Sequence, residues 1–352
     1  MRRQASVADV AAIAGVSIRT VSNVVNGYAH VSISTRRKVE EAIRKTGYRP
    51  NITAKRLRQG RTGTIGLAVP NLGWPYFGEI AHLVQIEAQK RDYSVLVAET
   101  QGSLTREMAV LENFASGIVD GFIFSPQVAR PADLASLDLR IPVALIGERI
   151  RDAGFLHVAV DNERAAMAVA DHLIEAGARS FAVLGTLDPL TGAGPGPERM
   201  NGFARALESA GLPSSAWVGL EVSPWTYEGS YHSMLAFLQE HPTPDAVFAM
   251  NDILASAAIR ALRDVAADVP QDVLVAGWDD VDISRYFLPS LTTIRPDKEG
   301  LVAATISGVI DRIEGESGGE TEVEIPFELI VRESTSPGVI PPGHPRRSGR
   351  SA

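Results

Sequence analysis

Arg19 and Asn23 stand four residues apart in IRTVSNVVN, a stretch bounded by Gly15 and Gly27. On a helix that spacing puts both side chains on one face. A guanidinium can make two parallel hydrogen bonds to a guanine edge, and a carboxamide can do the same to adenine. A second set of residues offers different chemistry. Asn71, Trp74, Tyr76 and Phe77 lie in VPNLGWPYF, Glu148 and Arg149 in LIGER, and Arg199 in PERMNGF. Trp225 lies in SPWTYEGSY, Asn251 and Asp252 in AMNDILA, and Asp279 and Asp280 in GWDDVD. Polar groups of these kinds hold hydroxyls, and flat aromatic faces cover apolar C–H patches, so the set suits a sugar ring. Several of these stretches directly follow apolar runs, where an open α/β sheet presents its ligand site.

The first pair needs a small helical scaffold. Val7, Val10, Ala11 and Ala14 recur at the amphipathic helical period. Ser6 with Asp9 reads as a capping box with Asp in place of Glu, and Gly15 ends the helix. Ser17 caps the second helix, whose inward face is predicted to be Val21 and Val25 with Val24 at the flank. Its outward face is Ile18, Arg19, Ser22, Asn23 and Asn26. Ser32 caps a third helix with Val39, Ala42 and Ile43 as its apolar stripe, ending at Gly47. Two helices joined through a short glycine turn make a helix-turn-helix.

The second set needs alternating strands and helices. Strands are predicted at 64–70, 93–99, 119–126, 142–148, 157–161, 180–185, 246–252, 273–280 and 291–297, with helices such as 77–91, 162–176 and 199–210 between them. This order implies two lobes, each a mostly parallel sheet with helices on both faces, and a cleft at the strands' carboxyl ends.

Charge separates the two parts. Residues 1–62 carry a net +10 and the remainder −18. A basic head on an acidic body is the pattern expected when only the head approaches a polyanion. The chain has no cysteine, which removes disulfides, thiolate nucleophiles and cysteine metal sites. No apolar run approaches a membrane span, and Asp9 interrupts what would be a signal peptide's apolar stretch. The predicted location is the cytoplasm, at the nucleoid, with no membrane partner. The seven histidines are scattered and no metal or cofactor motif occurs. GAGPGP at 192–197 resembles a phosphate loop, but Pro195 and Pro197 have no N–H to offer, and it reads as a flexible loop. Asp279 and Asp280 do not form a catalytic dyad, because neighbours on an extended strand end point to opposite sides. Asp252 is expected to cap the helix starting near Ile253, and Asp280 to serve in a turn.

The stretch from Val7 to Pro70 carries DVAxxAGVSxxTVSxVxNG, then VSxxTRxKVxxAIxxxGYxPNxxAxxL. It resembles the N-terminus of the lactose-repressor (LacI/GalR) family of bacterial transcription regulators, and the resemblance continues to about residue 335. It implies base reading by Ile18, Arg19 and Asn23. Ser17, Thr20, Ser22 and Asn26 become backbone contacts, which position without specifying. The family usually has a small residue where Arg19 stands and Arg where Asn23 stands, so the half-site is expected to differ from the usual one. The resemblance also implies a body like the periplasmic sugar-binding proteins, with chain crossings placed near 161–163, 290–293 and 320–330. On this plan residues 1–50 form the head, 51–62 a hinge helix and linker, and 63–340 the body. The N-lobe takes about 63–161 and 291–325, the C-lobe about 162–290 and 326–340, and 341–352 is a disordered tail. Effector contacts map onto Arg199, Asn251 and Asp279, with Trp225 as the stacking aromatic. Gly147 stands where the family often has Asp, so a contact there is lost or moved to Glu148.

YRPNITAKRLRQGRTGT, 48–64, holds five basic residues and no acidic one. About eight residues between Asn51 and Gly60 are too few for a helix in isolation. The expectation is a helix that forms on DNA, through Asn51, Ala54, Lys55 and Leu57, with Leu57 mapping onto the family's minor-groove wedge. The whole reads as a homodimeric, ligand-responsive repressor on palindromic double-stranded operator DNA, with a sugar or sugar derivative as effector. A sugar-binding module with an unrelated head, and a sugar-modifying enzyme, are the competing readings; no nucleophile–base pair supports the latter.

Overall fold

The computed structural model describes residues 5–25, 28, 30–48, 60–147, 150, 154–186, 196–222, 224–316 and 321–336. The chain divides into two compact units, 1–62 and 63–352.

In the first unit, α1 (Val7–Ala14), α2 (Ile18–Val25) and α3 (Ile33–Thr46) enclose a core of Val10, Ala11, Val21, Val24, Val39 and Ala42. The Ser6 and Asp9 capping box is complete: Asp9 Oδ2 accepts the Ser6 N–H at 2.8 Å, and Ser6 Oγ accepts the Asp9 N–H at 3.3 Å. Gly15 takes the left-handed conformation, φ 65°, that ends α1 and lets the chain turn. The axis changes direction by 105° between α1 and α2, within the range of a helix-turn-helix. Val24, not Val25, is the second fully buried residue of α2; Val25 is half-buried. The core lies between α1 and α3, so it takes the i, i+3 pair Val21 and Val24 and leaves Val25 at its edge.

In the second unit the helices are α4 (Pro75–Lys90), α5 (Leu104–Asn113), α6 (Pro131–Ala135), α7 (Asn162–Glu175), α8 (Gly196–Ser209), α9 (Tyr227–Glu240), α10 (Asp252–Asp264) and α11 (Lys298–Glu314). The strands are β1 (Thr64–Val69), β2 (Ser94–Glu99), β3 (Gly121–Phe124), β4 (Val143–Ile146), β5 (Leu156–Val160), β6 (Phe181–Thr186), β7 (Trp217–Glu221), β8 (Ala246–Ala249), β9 (Leu274–Trp278), β10 (Thr292–Pro296), β11 (Glu322–Ile325) and β12 (Phe327–Ile330). They form two six-stranded sheets, ordered β11-β5-β4-β3-β1-β2 and β12-β10-β9-β8-β6-β7. All neighbours are parallel except β10 and β12. The two sheets repeat one winding, with the strand order reversing beside β1 in the first and beside β6 in the second. That reversal opens a crevice above the strands' carboxyl ends.

The three passages between lobes follow from strand pairing. The first comes at Asp161, between β5 and α7. The second was expected near 290–293, but β10 pairs with β9 in the C-lobe sheet, so the chain crosses at Asp297 instead. LTTIRP therefore belongs to the C-lobe, where Thr292, Thr293 and Ile294 are fully buried. The third comes at Pro326, between β11 and β12. The strands β7, β11 and β12 were absent from the sequence reading. They lie at sheet edges and their side chains are mostly exposed or half-buried, so their apolar signal is weak. Gly196 and Pro197, read as the end of a loop, open α8. The proposed tail, 341–352, lies outside the described residues.

Candidate functional site

The cavity between the lobes is lined from both sheets at the crevices the winding predicts. From the N-lobe come Trp74, Tyr76 and Phe77 after β1, with Ser125 and Gln127 after β3. From the C-lobe come Arg199, Trp225, Asn251 after β8, and Trp278 and Asp279 at the end of β9. Seven of the ten predicted effector residues thus meet in one place. Asn71 does not line the cavity: its Oδ1 accepts the Gly73 N–H at 2.7 Å and shapes the turn into α4. Glu148 and Arg149 lie outside the described residues.

Arg199 is buried, and its guanidinium is held on several sides. Nε donates to Asn162 Oδ1 at 2.8 Å, Nη1 donates to the Met250 carbonyl, and the guanidinium carbon lies 3.8 Å from the Trp278 ring centroid. A cation over an indole face is attracted by its quadrupole. Gly202, one turn on, explains how Arg199 reaches Asn162. A Cβ there would fall 2.1 Å from the Glu163 carbonyl, so only glycine lets α8 lie this close to α7. Trp74 and Trp225 face one another from opposite lobes, with ring centroids 6.4 Å apart and planes 27° apart. Asn251 caps α10, its Oδ1 accepting the Leu254 N–H at 2.9 Å, and it remains in the cavity wall.

Asp252 is not the cap. Its carboxylate is buried and accepts from Ser284 Oγ at 2.6 Å, Thr293 Oγ1 at 2.7 Å and the Val281 N–H at 3.0 Å. Gly277 leaves the room, since a Cβ there would meet Asp252 Oδ1 at 2.4 Å. Burial pushes the Asp252 carboxyl up to about 7; its three hydrogen bonds pull the other way, and the Asp280 charge adds to the rise. Asp280 faces away from the cavity. It forms ion pairs with Arg295 at 2.7 Å and Arg332 at 2.6 Å. The neighbours diverge as the sequence implied, but through a left-handed turn, φ 108° and 42°, rather than an extended strand end. Sequence reasoning missed Trp278, Asn162, Ser125 and Gln127. Trp278 precedes the Asp279–Asp280 pair within the quoted GWDDVD and was the one readable signal among them.

In the head, Ile18, Arg19 and Ser22 are exposed and Asn23 is half-buried. Ser17 Oγ accepts the Thr20 N–H at 3.1 Å, and the two hydroxyls lie 2.9 Å apart, so the start of α2 presents a paired hydroxyl edge. Arg36 Nη2 donates to the Tyr28 carbonyl at 2.9 Å, which ties α3 to the segment after α2. Asn26 and the hinge residues Asn51, Ala54, Lys55 and Leu57 lie outside the described residues.

A helix-turn-helix head and a two-lobed α/β body with a polar, aromatic cleft define a ligand-binding transcription regulator rather than an enzyme. Residues 6–51 match the bacterial regulatory proteins of the lacI family, and 170–335 match a periplasmic binding protein-like domain. The HTH-type transcriptional repressor PurR of Edwardsiella ictaluri (strain 93-146) is 32% identical over 339 residues, 95% of this chain and 98% of that one. The chain belongs to the LacI family of transcriptional repressors. The lac repressor dimer bound to operator and the anti-inducer ONPF superposes with a TM-score of 0.83 at 25% identity, covering 95% of this chain and 99% of that one. The transcriptional regulator CelR–cellobiose complex gives 0.69 at 28% identity, covering 94% and 100%.

Proposed function

We propose that this repressor is controlled by a carbohydrate bound in the cleft against Trp74 and Trp225, with Arg199, Asn251 and Asp279 engaging its hydroxyls. The observation that carries this reading is the facing tryptophan pair beside a buried guanidinium and two further hydrogen-bonding side chains. Flat aromatic walls suit the C–H face of a sugar ring, and the cellobiose complex of CelR supports the same ligand class. Tyr76 and Phe77 complete the N-lobe wall, with Phe77 packed edge-on against Tyr76 at 5.1 Å.

The head reads operator bases through Ile18, Arg19 and Asn23 and holds the phosphate backbone through Ser17, Thr20, Ser22 and Asn26. Residues 51–62 act as the hinge, with Leu57 as wedge. Two copies bind a palindromic site at the nucleoid, because one head reads only one half-site. The ligand acts by binding one arrangement of the lobes more tightly than the other, and DNA distinguishes the same two arrangements.

The test is a thermal-shift screen of mono- and disaccharides on the full chain, followed by anisotropy of labelled promoter DNA with and without each hit. A sugar that raises the melting temperature and changes operator affinity supports the reading. Stabilisation by no sugar in the panel, with operator binding intact, overturns the carbohydrate assignment.

A further inference from the structure

Asp279, on the cavity wall, opens a turn that both of its first residues enter with positive φ, 108° at Asp279 and 42° at Asp280. Aspartate in such a conformation persists only where its surroundings hold it. Some of the restraint comes from the C-lobe itself: Asp280 pairs with Arg295 and Arg332, and Asp252 accepts from Val281 and Ser284. The Asp279 N–H also donates to the Ile294 carbonyl at 2.9 Å and the Asp280 N–H to Thr293 Oγ1 at 3.3 Å, and a further restraint comes from the other lobe. Glu79, on α4, accepts the Asp282 N–H at 2.8 Å. Lys298, the first residue of α11 after the chain has crossed back, pairs with the same Glu79 carboxylate and donates to the Asp280 carbonyl at 3.0 Å. The lysine side chain is 11% exposed and the glutamate 23%, so both charges are largely withdrawn from water and each is the other's compensation.

We infer that Glu79 and Lys298 are positioning residues that clamp the Asp279–Asp282 turn of the C-lobe to the N-lobe, so that the turn carrying the cavity's Asp279 is fully held only when the lobes are closed. Neither Glu79 nor Lys298 lines the cavity. Opening the lobes separates Glu79 from the Asp282 N–H and Lys298 from the Asp280 carbonyl, and releases the turn. This deepens the proposed ligand control of the same cleft and rests on it for its purpose, but its test needs neither ligand nor DNA.

The chain has no cysteine, so Thr105→Cys on α5 and Glu228→Cys on α9, both exposed, accept spin labels at those two points alone. Pulsed electron–electron resonance on the full chain then reads the separation of the lobes. A far-ultraviolet exciton couplet from the facing Trp74 and Trp225 gives a second reading on the unlabelled chain. Lys298→Met and Glu79→Gln are each expected to shift the distance distribution to longer values and weaken the couplet. The double variant should go no further than either single one, because the two act as a unit. Distances and couplet unchanged in both single variants, whether or not the melting temperature falls, would reduce the pair to a structural role and overturn the clamp. That outcome leaves the carbohydrate reading standing.

Discussion

The two lobes share one winding but bring a different balance of chemistry to the cleft. The N-lobe wall is flat and mostly apolar, built from Trp74, Tyr76 and Phe77 on the loop after β1 and the first turn of α4. The C-lobe wall is directional: Arg199, Asn251 and Asp279 are held by hydrogen bonds to Asn162, Met250, Leu254 and Ile294. Equal folds therefore do not make equal half-sites. The division of labour suits a two-step capture, in which the fixed side chains Arg199 and Asn251 orient a ligand, and the aromatic wall closes over it as the Asp279 turn is clamped. Preorganised donors on a rigid wall lose little entropy on binding, while aromatic cover gains from excluding water.

The largest expected effect comes from attacking the polar wall. Arg199→Ala removes a buried cation that joins Asn162, Met250 and Trp278, and should cost about 3 kcal/mol of stability, as hydrogen bonds to a charged group typically do. Chemical denaturation should show this in the body, and the sugar-induced shift in melting temperature should vanish. Arg19→Ala tests whether the head stands apart from the cleft. It should weaken operator binding by about 2 kcal/mol, roughly 30-fold, and leave the body's melting temperature and sugar response unchanged. Trp74→Ala, on the apolar wall, should weaken sugar binding by about 1 kcal/mol, read by calorimetry, with little loss of fold because the indole is only half-buried. A larger loss of stability than of affinity would contradict the division between walls.

The smallest effect at neutral pH concerns Asp252, a buried member of the cavity lining. Its folded value near 7 exceeds the ordinary 3.8. The folded state therefore holds more protons than the unfolded state between those values, and stability must fall as pH rises across that window. The contribution is fully present below about 4 and lost as pH passes about 7. Asp252→Asn keeps an acceptor for the Val281 N–H and offers donors to hydroxyls that can reorient. Denaturation midpoints between pH 4 and 8 should therefore show a flatter slope for the variant than for the parent chain.

Local chemistry was legible in the sequence wherever one residue's neighbours along the chain decide its environment. The Ser6 and Asp9 capping box, the Gly15 turn and the buried strands β1, β3, β6, β8 and β9 all follow from spacing and apolar runs, because each satisfies its backbone and buries its face locally. The basic head and acidic body were also determined there, since charge needs no fold to be counted. Only the tertiary structure decided the rest. Which sheet takes LTTIRP depends on its pairing with β9, and an apolar run is equally at home in either lobe. Asp252 and Asn251 are adjacent, and either could cap α10; the hydroxyls of Ser284 and Thr293, about 30 and 40 residues away, draw Asp252 inward and leave the cap to Asn251. Glu79 and Lys298 meet across some 220 residues, at a point where the chain has crossed between lobes. Such contacts join positions with no periodic relation in the chain, so the energy that fixes them exists only once the elements that carry them have packed together.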